Sequence, residues 1–103
     1  AVDAIAASYP GGSMTGAPKI RTMEIIEELE PHPRGFYSGA IGWISPNSAA
    51  ELNITIRTLI DDGEECSFGV GGAIVADSDP LAEYEETLVK AAALLDTLVG
   101  QIA

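Results

Sequence analysis

The feature that most limits the possible folds is the spacing of three strand-like runs in the middle of the chain. They are "FYSGAIGWIS" (36–45), "LNITIRTLI" (52–60) and "CSFGVGGAIVA" (66–76). The second alternates most cleanly, with Leu52, Ile54 and Ile56 set against Asn53, Thr55 and Arg57. The first alternates in part and places Tyr37, Gly39, Ile41 and Trp43 on one side. The third is apolar and β-branched at its end but rich in glycine. Between them lie only "PNSAAE" and "DDGEE", both turn material. Short turns between successive strands favour an antiparallel meander.

Helical patterns flank the strands. "KIRTMEIIEELE" sets Ile20, Met23, Ile26 (or Ile25) and Leu29 at helical spacing, and Pro18 suits the first helical position. "PHPRG" stops that helix, because each proline disfavours helix in the residue before it. In "DPLAEYEETLVKAAALLDTLVG", Asp79 is a good N-cap and Pro80 a first helical residue. Leu81, Tyr84, Leu88, Ala92, Leu95 and Val99 form one stripe, and Gly100 a stop. Residues 1–8 read as the tail of a helix and 10–17 as a glycine-rich loop. The order is α-β-β-β-α, an α+β pattern of helices against an antiparallel sheet.

The chain has 103 residues, 47% of them hydrophobic. That is globular composition, and one domain of this size can bury about 65% of its unfolded surface. Sixteen acidic residues against five basic give a net charge of −11, which argues against nucleic acid as a partner. No apolar run is long enough to span a membrane, and no secretory signal pattern opens the chain. The lone Cys66 permits no internal disulfide and has no zinc spacing, so packing in or beside a strand is its expected role. These features point to a cytoplasmic protein. The opening "AVDAIAAS", without methionine, reads as the middle of something longer.

Several residues carry a chemical reading beside a structural one. "PGGSMTGAPKIR" is no Walker loop, since Gly16 is followed by Ala17 and Pro18 before Lys19. A glycine-rich turn into a helix start can still receive an anion, or can simply turn the chain. The glycines of "FGVGGAIVA" either admit a ligand close to the backbone or mark a bulge. Arg57, mid-strand, can clamp a carboxylate with two parallel hydrogen bonds or sit on a solvated face. Tyr37 can pack or donate its hydroxyl in a cleft. Glu83 and Glu86, three apart on the last helix, point the same way, opposite the apolar stripe. They form either a divalent-metal pair or a solvated face on which Glu86 pairs with Lys90. His32, between two prolines, reads as a loop residue without chemistry.

Four motifs in order, "PGGSMTGAPKIRTMEIIEELEP", "RGFYSGAIGW", "LNITIRTL" and "GGAIVADSDPLAEYEETLVKAAALL", resemble the C-terminal part of the chorismate-utilising enzymes. That family includes the anthranilate synthase large subunit, aminodeoxychorismate synthase component I, isochorismate synthase and salicylate synthase. The resemblance runs from Tyr9 to Leu95. "TGAPK" is similar to the ammonia-using members, and the set is most similar to aminodeoxychorismate synthase component I, with anthranilate synthase close behind.

The resemblance implies a fold, a segment of an α/β/β/α sandwich, and roles for particular residues. Ser13 matches a hydroxyl near bound chorismate, and Lys19 the lysine that ends "GAPK". Tyr37 and Arg57 match the pair on the enolpyruvyl carboxylate. Gly71, Gly72 and Ala73 match a turn whose N–H groups hold a substrate carboxylate; the family commonly has glycine where Ala73 stands. Glu86 matches a Mg²⁺ ligand and Glu83 its acidic neighbour. The implied reaction replaces the chorismate 4-hydroxyl with ammonia, supplied by a glutamine amidotransferase subunit or domain, toward 4-aminobenzoate and folate. The resemblance implies that another metal-binding glutamate, a histidine near the ring and, in the aminodeoxychorismate type, a lysine linked to nucleophilic catalysis lie upstream of the region matched. These 103 residues are therefore expected to be incomplete as a domain and inactive alone, with open sheet edges that could pair between copies. The reading from another class is a non-catalytic acidic module that binds metal or a partner protein.

Overall fold

The computed structural model describes residues 1–100. It divides into two units, Ala1–Ile56 and the stretch from Arg57 onward. Both combine helix with a small antiparallel sheet, so the α+β class holds.

The first unit opens with α1, Val2–Ser8, the helix expected there. The glycine-rich stretch is not wholly a loop. Gly12–Thr15 form a single helical turn, α2, closed by Thr15 and Gly16 N–H donating to the Gly11 and Gly12 carbonyls. Gly16 ends it at φ +121, a conformation that favours glycine, and a Cβ there would sit 3.0 Å from Thr22 Cγ2. Helix α3 spans Lys19–Leu29. Pro18 is its N-cap and not its first residue, because ψ of 138° keeps Pro18 extended. Its carbonyl accepts both the N–H and the hydroxyl of Thr22. The helix ends at Glu30, whose extended backbone is what the following Pro31 demands.

Strands β1, Ala40–Ile44, and β2, Ala50–Ile54, form a hairpin in which Gly42 faces Leu52. The pairing runs on past the strands, with Thr55 N–H donating to Gly39 and Ser38 N–H to Thr55. Gly42 is obligatory, since a Cβ there would overlap the Glu51 carbonyl. Gly42→Ala is expected to cost about 2 kcal/mol or more of hairpin stability, read as a lowered unfolding midpoint in denaturant.

The meander is not continuous. Tyr37 lies before β1, in a turn in which Ser38 takes φ +62. The run "LNITIRTLI" breaks after Ile54: Ile56 N–H turns back onto the Ile54 carbonyl and Arg57 adopts φ +49. Arg57 is therefore not mid-strand. A left-handed residue cannot continue a pleated ladder.

In the second unit β3, Ile60–Asp61, pairs with β4, Cys66–Ser67. The intervening "DDGEE" turns as its composition predicts. Asp62 Oδ1 accepts the Glu64 and Glu65 N–H groups, which holds this exposed carboxyl below its ordinary pKa. Cys66 is in a strand but exposed, so it does not pack. Residues 68–75 form no strand; each glycine there removes a side chain that would pack a ladder. Helix α4 spans Pro80–Gly100, capped as expected by Asp79 Oδ2 accepting Ala82 N–H at 2.9 Å.

The expected core is absent. Among the described residues no apolar side chain is buried; the buried residues are Ser38 and Thr55. The α4 stripe lies open, with Leu81 64% and Val99 63% exposed. Apolar patterning marks which face seeks cover, and these two units do not themselves supply it. No described helix is long and apolar enough to cross a membrane.

Candidate functional site

The expected site residues gather in two places, one in each unit. In the second unit, α4 brings its acidic face to the glycine turn. Lys90 Nζ donates to the Gly71 carbonyl at 3.0 Å and pairs with Glu86 Oε1 at 3.2 Å. Glu83 Oε2 would lie 3.4 Å from a Cβ on Gly72, with Lys90 Nζ at 4.0 Å. A Cβ at Gly72 would thus sit in ordinary contact with both charged groups. Gly72 and Glu83 also line a cavity of about 310 Å³ with Ile74, Pro80, Tyr84 and Thr87. The helical spacing that put Glu83 and Glu86 on one face thus brings Glu83 beside Gly72, while Glu86 reaches the Gly71 carbonyl only through Lys90. Ala73 is exposed beside them.

Carboxylate oxygens are the donor type that a hard divalent cation takes. Two carboxylates suit Mg²⁺, which takes one or two from a protein and completes its shell with water and substrate. The Lys90 ammonium bridges Glu86 and the Gly71 carbonyl, so Glu86 is ion-paired on this face as the solvated-face reading expects. No group of three or more ligating side chains assembles among the described residues.

In the first unit the organising residue is Arg34, which the sequence reading passed over as part of a helix stop. Its Nε and Nη2 grip the Glu30 carboxylate, with Nη2–Oε1 at 2.6 Å. Its Nη1 donates to the Met14 carbonyl at 2.8 Å and to Ser38 Oγ at 3.1 Å. Its guanidinium carbon lies 5.6 Å from the Tyr37 ring centroid, within cation–π range. The fork hydrogen bonds lower the Glu30 pKa and raise that of Arg34. A depressed carboxyl favours the fold above its unfolded pKa. This pair therefore keeps its strength at neutral pH and loses it as pH falls through the lowered Glu30 value. The available signal was spacing: Glu30, Arg34 and Ser38 are four apart in succession, and Arg34 is one of only five basic residues.

A cavity of about 750 Å³ opens beside this cluster, lined by Thr15, Met23, Glu30, Arg34, Tyr37 and Ser38 among others. Of the expected site residues only Tyr37 lines it. Ser13 sits exposed on α2, and Lys19 is half-buried at the start of α3. Arg57 is exposed in the second unit. His32 is exposed and lines this cavity of about 750 Å³.

Residues 1–96 match the profile of the chorismate binding enzymes. The chain belongs to this family. An aminodeoxychorismate synthase of Streptomyces griseus is 60% identical over 97 residues, which cover 94% of this chain and 13% of that protein. Aminodeoxychorismate synthase component 1 of Bacillus subtilis (strain 168) is 52% identical over 94 residues, 91% of this chain and 20% of that one. An anthranilate synthase component 1 of Haloarcula marismortui is 54% identical over 96 residues, 93% and 20%. The chain thus spans a fifth or less of the length of these relatives. Within the chorismate binding family both aminating branches resemble it.

Proposed function

We propose that this chain is the C-terminal part of a chorismate-binding domain whose complete form is an aminodeoxychorismate synthase. The observation that carries the reading is Glu83 beside Gly72, with the Glu86–Lys90 pair held at the Gly71 carbonyl, in a chain 60% identical to such a synthase. In the complete enzyme ammonia forms a bond to carbon 4 of chorismate and the 4-hydroxyl departs as water. A glutamine amidotransferase subunit or domain supplies the ammonia, in the cytoplasm. Arg57, Tyr37 and the N–H groups of Gly71, Gly72 and Ala73 neutralise and orient carboxylates of the substrate. Ser13 and Lys19 shape the substrate side of the glycine-rich turn. Glu86 and Glu83 would hold Mg²⁺, which when bound supplies Lewis-acid and charge-neutralising chemistry at an anionic substrate.

The open apolar faces support the domain reading. Trp43, Leu81 and Tyr84 are each more than half exposed, and we assign their cover to the remainder of an α/β/β/α sandwich. The isolated 103 residues are expected to leave chorismate unchanged with Mg²⁺ and ammonium, and to self-associate through those faces in sedimentation. Amination by this segment alone would overturn the incomplete-domain reading.

The deciding experiment mixes the longest chain containing this segment with chorismate, Mg²⁺ and ammonium, and identifies the product by mass spectrometry. Aminodeoxychorismate sustains the reading. Anthranilate moves the chain to the second branch, which the 54% identity to the Haloarcula protein supports, and keeps the same residues in place. Unchanged chorismate, with the complete chain folded, leaves a binding module.

A further inference from the structure

We infer that Arg34 is a positioning residue, which ties the Gly11–Gly16 turn to the Arg34–Gly39 turn and so sets both Ser13 and Tyr37 for substrate. This deepens the chorismate reading and rests on it for the identity of the substrate. The geometry is a four-way junction. One guanidinium grips Glu30 at the end of α3 with two nitrogens, and with the third reaches the Met14 carbonyl and the Ser38 hydroxyl.

Each partner is a place where the chain would otherwise be loose or strained. Met14 follows Ser13 in the short α2 turn, too brief to be stable as an isolated helix. Ser38 holds φ +62, which a serine adopts at a cost and keeps only when its surroundings fix it. Its surroundings are Arg34 on the hydroxyl and the Thr55 carbonyl on the N–H, and it is 5% exposed. Tyr37 is the residue before it, with its ring under the Arg34 guanidinium. Arg34 is therefore bonded to the residues that follow Ser13 and Tyr37 in sequence.

A lysine could keep the charge but not the junction. Its ammonium is a point donor on a flexible stem, and it cannot grip a carboxylate side-on while reaching two further acceptors. The test uses the longest chain containing this segment, with Arg34→Lys, Glu30→Gln and, as a surface control, Arg21→Lys. Arg21 pairs with Glu24 on the exposed side of α3. For Arg34→Lys we expect the KM for chorismate to rise about tenfold with kcat changed less than about threefold. Hydrogen exchange is expected to quicken at the Thr15 and Gly16 amides and not across β1–β2. Glu30→Gln, which leaves Nη1 on its two acceptors, is expected to shift both readouts the same way by a smaller factor. It also serves if Arg34→Lys does not fold. Arg21→Lys is expected to match the wild type.

Unchanged KM and unchanged exchange in Arg34→Lys would overturn the inference. So would uniform acceleration of every amide, which would make Arg34 a general stabiliser. If the wild-type chain does not bind chorismate, the functional reading falls by itself. The exchange pattern then decides the junction alone: local quickening at Thr15 and Gly16 sustains it, and no change sinks it.

Discussion

Replacing Glu86 by glutamine in the longest chain that contains this segment is expected to lower amination turnover about a thousandfold, the loss that removing several kcal/mol of charge stabilisation implies. Glutamine preserves the shape of the side chain and removes its negative charge. The Glu86 side chain is 55% exposed and its ion pair with Lys90 is a surface i,i+4 contact, so the fold has little to lose. Circular dichroism and the unfolding midpoint are therefore expected to stay within error of wild type. Raising Mg²⁺ should recover part of the lost rate, because Glu83 and the substrate would still offer oxygens. The neighbouring Glu85 is the internal control: Glu85→Gln changes the helix charge equally and is expected to keep activity within about twofold. Equal losses in both variants would mean that the acidic face acts only through its net field.

The same helix explains why part of the site was legible from sequence. A helix fixes direction by counting, so Glu83 and Glu86 could be placed on one face before any coordinates. Asp79 and Pro80 could likewise be assigned as cap and first residue, and both hold. The central runs were less legible because strand character depends on a partner. "CSFGVGGAIVA" carries β-branched residues but pairs only at Cys66 and Ser67. Arg57 counts as mid-strand by alternation, and its φ of +49 cannot be read from alternation at all. Arg34 was missed for a different reason. Its Met14 partner is a carbonyl twenty residues away that leaves no periodic signal, and its four-residue spacing to Glu30 and Ser38 runs across the prolines that end the helix.

The apolar patterns taught a subtler lesson. Leu81, Tyr84, Leu88, Leu95 and Val99 do form one stripe on α4, yet each is about half exposed or more. Patterning reports what a segment is built to bury against, and a family profile over residues 1–96 says what kind of protein offers that partner. Composition alone allows a core, and the open stripe shows that the described residues do not build one around α4.

Arg57→Ala in the longest chain is expected to weaken chorismate binding by about a hundredfold or more, seen as a raised KM and a matching loss in direct titration. The argument begins with its backbone. A non-glycine residue at φ +49 carries a local cost and persists only where its surroundings fix it. The turn at Ile56 and Arg57 takes the arginine out of the ladder and leaves it exposed. Among the described residues no carboxylate sits in the Arg57 fork, so truncation is expected to cost little unless a ligand supplies one. Stability is therefore expected to hold while affinity falls. Arg57→Lys separates charge from geometry: a lysine restores attraction but not two parallel hydrogen bonds, so about a tenth of the lost affinity should return. Arg57→Gly is the backbone control, since glycine suits the left-handed conformation. It should bind as weakly as alanine while unfolding no earlier than the alanine variant. If lysine restores wild-type affinity, the residue acts as a bare charge and the paired carboxylate clamp is wrong.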